Sequence, residues 1–261
     1  MKTMLRFAAI SLAVASVFRP VVAEAAEIKM LCAVAMKPAL DELAPRFESS
    51  ANHKLTIAYG TAGVVRDKIR NGDAFDGVVL PTPFIDPLAS EGVIDPDTVK
   101  VVAQSLISVG VRAGSPKPDI STVAAFKNAM LAAKSISYAD PSQGGGSGIQ
   151  TARVLESLGI AAAMRPKTKL VPGHESVDLV ANGEAEIALV NTPVIVAKTG
   201  VELVGPIPPE LYDTRDFVFK FGMAAKAAQA SRDAAKDLVE YLSSPDAARV
   251  FKAKGVEPGA T

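Results

Sequence analysis

The chain has 261 residues, 49% of them apolar, with 28 Lys and Arg balanced by 28 Asp and Glu, which excludes the basic excess of a nucleic-acid-binding protein. One Cys and two His exclude an intrachain disulfide, an all-Cys metal site and a site of three histidines. Trp is absent and aromatics make up 5%, which argues against an aromatic-lined carbohydrate groove. The length fits one large domain or two of ordinary size.

Residues 1–25 read as a secretory signal that is cleaved from the mature chain. Lys2 and Arg6 form a charged start, Phe7 to Phe18 is an apolar run, and Arg19-Pro20 precedes small residues suited to cleavage. The run is 12 residues long, short of the about 20 that cross a bilayer, so no stable membrane anchor is expected. Cleavage after Ala25 removes Lys2, Arg6, Arg19 and Glu24 and leaves 25 basic and 27 acidic residues. The exported chain then carries a lone Cys32, expected to be buried as a small apolar side chain.

The elements expected after this segment alternate. Ile28 to Cys32 has strand character, and residues 37–50 place Leu40, Leu43 and Phe47 at helical spacing. Residues 54–60 alternate as a strand, 64–72 form a helix closed by Asn71-Gly72, and 75–81 read as a buried strand. This β-α-β-α-β order predicts parallel strands with helices on their faces. An apolar strand at 105–112, a helix at 121–132 capped by Ser121 or Thr122, a strand at 135–140, a helix at 149–158, and strands near 168–171 and 186–191 repeat the pattern. A further strand at 217–223 precedes a helical end with a turn at Ser244-Pro245. The strands at 105–111 and 217–223 stand where the pattern changes: they either cross between two lobes or are central strands of one sheet.

Three strand-end loops open helices, the arrangement that places ligands at the crevice of an α/β sheet. The most distinctive is Asp140-Pro141-Ser142-Gln143-Gly144-Gly145-Gly146-Ser147-Gly148. Its glycines let backbone approach a ligand, and the helix that follows presents unpaired N–H groups at the positive end of its dipole. It carries neither the Gly-Lys-Ser/Thr of a nucleoside-triphosphate loop nor the third Gly of a dinucleotide loop. In Tyr59-Gly60-Thr61-Ala62-Gly63, Thr61 is an anion donor or a helix cap, and Arg66 a ligand or an exposed charge. In Ala35-Met36-Lys37-Pro38, Pro38 suits a first helical turn, and Lys37 is an anion ligand or a solvated charge.

These loops are where the chain resembles a known family. The stretches AVAMKPALDELAPRFE, YGTAGVVRDKIRNGDAFDGVVL, YADPSQGGGSGIQTARVLESLG, ANGEAEIALVNTPVI and YLSSPDAARVFKAKG are similar to periplasmic molybdate-binding proteins, the solute receptors of ABC importers. The resemblance implies an α/β, two-lobed type II periplasmic-binding-protein fold, each lobe a mostly parallel sheet flanked by helices. It implies lobe 1 at 26–106 plus 218–261 and lobe 2 at 107–217.

The chain departs from that family at its ligand positions. Ala35 and Thr61-Ala62-Gly63 stand where the family usually has serines, Asn191 where it often has Tyr, and the Gly144 to Gly146 loop is one residue longer. Lys37, Arg66 and His174 add basic groups near the cleft, which suits an organic anion with several carboxylates. A branch of the same family, the periplasmic aconitate isomerases, combines this layout with an enzymatic activity. The resemblance to that branch implies interconversion of trans- and cis-aconitate by a 1,3-proton shift, with no metal and no cofactor. The alternative is a receptor for molybdate, tungstate or an organic anion, which alone would require an ABC permease as partner.

The roles implied are His174 as general acid/base, with Glu175 as second base candidate or helix cap. Lys37 and Arg66 would hold carboxylates. Thr61, Ala62, Gly146, Ser147 and Gly148 would supply hydroxyl and amide donors, and Asn191 or Thr192 would close the cleft. Asp140 is expected in a turn, His53 facing solvent, and Tyr212 and Arg215 at the rim.

Overall fold

The computed structural model describes residues 26–259; the expected signal segment lies outside them. In chain order the elements are β1 (Glu27–Ala33), α1 (Lys37–Ala51), β2 (Lys54–Gly60), α2 (Ala62–Arg70), β3 (Gly77–Pro81), α3 (Thr82–Ser90) and β4 (Ile94–Gln104). There follow β5 (Ile107–Arg112), α4 (Val123–Ala132), β6 (Ile136–Ala139), α5 (Gly146–Ser157), α6 (Ala161–Met164), β7 (Thr168–Val171), α7 (Ser176–Ala181), β8 (Ile187–Asn191), α8 (Thr192–Val196) and β9 (Val201–Pro206). The chain ends with β10 (Val218–Ala224), α9 (Gln229–Leu242), α10 (Pro245–Ala253) and β11 (Glu257–Pro258).

Two sheets result, in the strand orders β11-β4-β10-β3-β1-β2 and β7-β6-β8-β5-β9. Each has the expected parallel core, β3-β1-β2 in the first and β7-β6-β8 in the second. Antiparallel strands extend both: β10 and β4 beside β3, and β5 and β9 beside β8. The two apolar strands at the pattern changes do not themselves cross. β5 lies wholly in the second sheet and β10 wholly in the first. The chain passes over between Gln104 and Ile107 and returns between Pro206 and Val218.

Local chemistry explains most boundaries. The Thr61 hydroxyl caps α2 by accepting from the Val64 N–H, Thr122 rather than Ser121 caps α4, and Ser244 caps α10. The Ser244-Pro245 turn is therefore the start of a separate helix. α1 buries Ala39, Leu40, Leu43 and Phe47 along one stripe. Among the elements that sequence patterning leaves unmarked, two share a reason. α3 carries Pro83 and Pro87, and β4 carries Pro96 beside two aspartates. Both read as breaks, yet Pro83 sits in the first helical turn, where its missing N–H costs nothing, and Pro96 lies near the start of an edge-side strand.

Each sheet has its own core. Phe47, Phe219, Phe221 and Phe251 anchor the first, and Phe126, Tyr212 and Phe217 belong to the second. Cys32 is fully buried in β1, and burial pushes its thiol well above the usual range, so it is an inert apolar filler. His53, expected to face solvent, is instead 8% exposed. Its Nδ1 accepts from the Ala26 N–H at 3.2 Å, and Nε2 faces Asp237 at 3.3 Å, against the ring of Phe47. It closes the N-terminal edge of the first sheet, a long-range role invisible in its polar local sequence.

Candidate functional site

The C-terminal ends of β1, β2, β6, β7 and β8 converge on one chamber of about 40 Å3 between the two sheets. Its walls come from Ala33 to Ala35 at the end of β1, Thr61 and Ala62 after β2, and Gly145 to Ser147 at the start of α5. Gly173 and His174 after β7 and Asn191 at the end of β8 complete the polar side. Pro81, Val190, Val194, Phe217 and Phe219 form an apolar wall.

The polar side is built of backbone more than of side chains. In α5 the first amide to bond within the helix is that of Ile149, to the Gly145 carbonyl, so the N–H groups of Gly146, Ser147 and Gly148 have no intrahelical acceptor. Gly146 and Ser147 line the chamber. Gly148 does not: a Cβ there would lie 1.9 Å from the Ala139 carbonyl oxygen. Its lack of a side chain lets α5 seat against β6. Ala62 lines the chamber at the second helix start. Thr61 does too, but its hydroxyl donates to the Gln143 carbonyl at 3.0 Å while accepting from Val64 N–H, so it is spent within the protein.

That Thr61 bond spans the two halves of the molecule, and a second joins it. The Gly63 N–H donates to the Gly144 carbonyl at 2.9 Å. The loops after β2 and before α5 thus touch backbone to backbone, next to the chamber-lining Ala62 and Gly145.

Other expected ligands fall elsewhere. Arg66 pairs with its neighbour Asp67 at 2.8 Å, lies 5.9 Å from the Phe84 ring centroid, and lines neither the chamber nor the adjoining vestibule. The bond to Asp67 raises the guanidinium pKa and lowers that of the carboxylate. Thr192 bonds Ser108 at 2.7 Å and the Leu106 carbonyl at 3.1 Å, beside the crossing segment rather than in the chamber. Asn191 does line it, with Nδ2 3.4 Å from Ser105 Oγ. Glu175 is the residue preceding α7 and is exposed outside the chamber. Tyr212 packs edge-on against Phe217 at 5.5 Å, Arg215 is held by Asp213, and neither lines the chamber or the vestibule. Asp140 forms the expected turn, accepting from the Ser142 N–H and hydroxyl.

His174 is the one titratable side chain lining the chamber among the described residues. It also lines a vestibule of about 280 Å3 that continues outward past Val34 and Val194. Lys37 belongs to this vestibule, where it bonds Asp41 at 2.5 Å with its ammonium 4.8 Å from the Tyr59 ring centroid. Burial, with Cys32 and Asp41 nearby, pushes the Tyr59 phenol well above its ordinary range, so it stays a neutral donor to Asp41. Lys198 faces the same space and pairs with Asp178. No sequence pattern marked Lys198; it follows a short helix, and only the packing of α8 beside α1 brings it here. Among the described residues no group of three His, Cys, Asp or Glu is placed to hold a metal ion, and no helix is long and apolar enough to cross a membrane.

Residues 28–257 match the family described as bacterial extracellular solute-binding protein. The chain is 29% identical over 223 residues to an aconitate isomerase of a Pseudomonas species, covering 83% of this chain and 82% of that protein. It is 31% identical over 250 residues to the molybdate-binding protein ModA of Azotobacter vinelandii, covering 89% and 90%. The solved structure of the Azotobacter vinelandii periplasmic molybdate-binding protein superposes with a TM-score of 0.72 at 19% identity, covering 88% of this chain and 98% of that one. The fold is accordingly the two-lobed type II periplasmic-binding architecture, and the chain belongs to the bacterial extracellular solute-binding protein family.

Proposed function

We propose that the protein is an exported isomerase that binds a tricarboxylate between its lobes and interconverts trans- and cis-aconitate. Residues 1–25 direct export and are removed; lobe 1 comprises 26–106 plus 218–261 and lobe 2 comprises 107–217. The observation that carries the reading is His174, a lone acid/base group in a chamber otherwise lined by amides, one amide side chain, hydroxyls and apolar surface. A receptor for a tetrahedral oxyanion needs donors only, whereas a proton shift needs a base beside bound carbon. The apolar wall of Val190, Val194, Phe217 and Phe219 suits a carbon skeleton better than a bare oxyanion.

In this reading one carboxylate of the substrate occupies the chamber, held by the free amides of Gly146 and Ser147 and by the Ser147 hydroxyl. The His174 imidazole takes a proton from the substrate methylene. The C–H electron pair moves into the allyl system, and negative charge builds on the carboxylate oxygens, where the α5 amides and dipole stabilise it. The imidazolium then returns the proton to the former vinylic carbon, so the double bond has moved and no atom is gained or lost. Lys37 steadies a second carboxylate from the vestibule.

The likeness to the molybdate-binding protein supports a second reading, a receptor without chemistry. Incubating the mature protein with trans-aconitate in D2O separates the two. The isomerase gives cis-aconitate and incorporates deuterium at the methylene, both visible by NMR. Unchanged trans-aconitate without deuterium, together with tight molybdate binding by calorimetry, would overturn the enzymatic reading in favour of the receptor.

A further inference from the structure

The chamber alone is too small for a tricarboxylate: about 40 Å3 against the roughly 300–1,000 Å3 of an ordinary small-molecule site. The vestibule supplies the missing room, about 280 Å3, and His174, Val34 and Val194 line both spaces. Its charged groups come from opposite lobes. Lys37 and Asp41 stand on α1, in the half built on the first sheet. Lys198, just beyond α8, and Asp178 on α7 belong to the half built on the second.

We propose that this vestibule is a second carboxylate subsite, with Lys198 and Lys37 gripping from either lobe the distal carboxylates of a ligand whose first carboxylate lies in the chamber. This deepens the isomerase reading by naming its specificity device, and rests on that reading for the occupant of the chamber. Each ammonium has three donors and gives one to its own aspartate, so donors remain for a ligand. The aspartates hold the two lysines facing the cavity and cancel their charge when it is empty. These pairs are partly exposed, with lysine side chains 46% and 35% accessible, and pairs of that kind are weak enough to be shared with an incoming carboxylate. A molecule spanning both spaces carries its carbon chain past His174, the residue common to the two. A tetrahedral oxyanion fills the chamber alone and never reaches Lys198.

The test compares Lys198→Gln with the unsubstituted protein in titrations with tricarballylate, the saturated and unreactive tricarboxylate, and with molybdate. The expected result is an about tenfold or greater loss of tricarballylate affinity, with molybdate binding unchanged and with the KM for aconitate raised more than kcat is lowered. Equal effects on both anions, no effect on tricarballylate, or an unsubstituted protein that binds molybdate but no tricarboxylate would overturn the subsite. The two readings fail separately. Tricarballylate binding that depends on Lys198, without aconitate turnover, removes the isomerase and leaves the subsite. Turnover with an unaltered KM in Lys198→Gln does the reverse.

Discussion

The backbones of Gly63 and Gly144 meet across the cleft: the amide of the first donates to the carbonyl of the second at 2.9 Å, and a Cβ built on Gly63 would lie 2.6 Å from the Gly144 Cα. Neither residue could carry a side chain in this arrangement. Gly144 also holds a φ of +70°, which strains any other residue. The contact ties the loop after β2 to the loop before α5, beside the chamber-lining Ala62 and Gly145.

Gly63 sits in the first turn of α2, where alanine is locally the better helix former, by up to about 1 kcal/mol. Gly63→Ala is therefore expected to fold with equal or slightly higher stability while failing to close. Affinity for whichever of tricarballylate or molybdate the protein binds should fall at least about tenfold, because the binding-competent state is depopulated. Small-angle scattering with ligand present should show a larger radius of gyration than the unsubstituted protein. Unchanged affinity and unchanged compaction would remove the closing role.

His174→Gln removes the one acid/base group lining the chamber among the described residues. Turnover of trans-aconitate should drop by about 10²- to 10⁴-fold, with tricarballylate affinity within a few-fold of the starting value. Arg66→Ala is the control: paired with Asp67 outside both cavities, it should leave kcat and KM within about twofold. Initial-rate measurements check both, and comparable mild effects in the two variants would take His174 out of the mechanism.

Gly148 is needed for the packing of α5 on β6. Gly148→Ala drives a Cβ to 1.9 Å from the Ala139 carbonyl oxygen and is expected to destabilise by about 3 kcal/mol or more. At Gly146 the nearest obstacle is a Phe84 ring carbon at 3.6 Å, and Gly146→Ala should stay within about 0.5 kcal/mol. Urea unfolding of the two variants measures the difference; similar midpoints would show that α5 slides along β6 without cost.

Some of this site was legible in the chain itself. The loop from Asp140 to Gly148 follows β6 and opens α5 as its glycines and turn residues require. The glycines and turn residues of that loop depend on neighbours within one turn of helix or one strand end, whereas His174 was placed near the crevice only by the likeness of its loop to the family's ligand loops. Thr61 shows the limit: its alternative role as a helix cap was readable, but the destination of its proton, the Gln143 carbonyl, belongs to the opposite lobe.

Periodicity, capping residues and strand-end glycines determined the alternation of strands and helices and the loops that would gather at one edge, because those signals are local. Tertiary packing alone decided that Lys37 stands in a vestibule, that Arg66 pairs with Asp67 outside it, that His53 is buried, and that Lys198 lines the same vestibule as Lys37. Each of those outcomes depends on which distant segments share a wall, and a side chain's partners across a cleft leave no trace in the residues beside it.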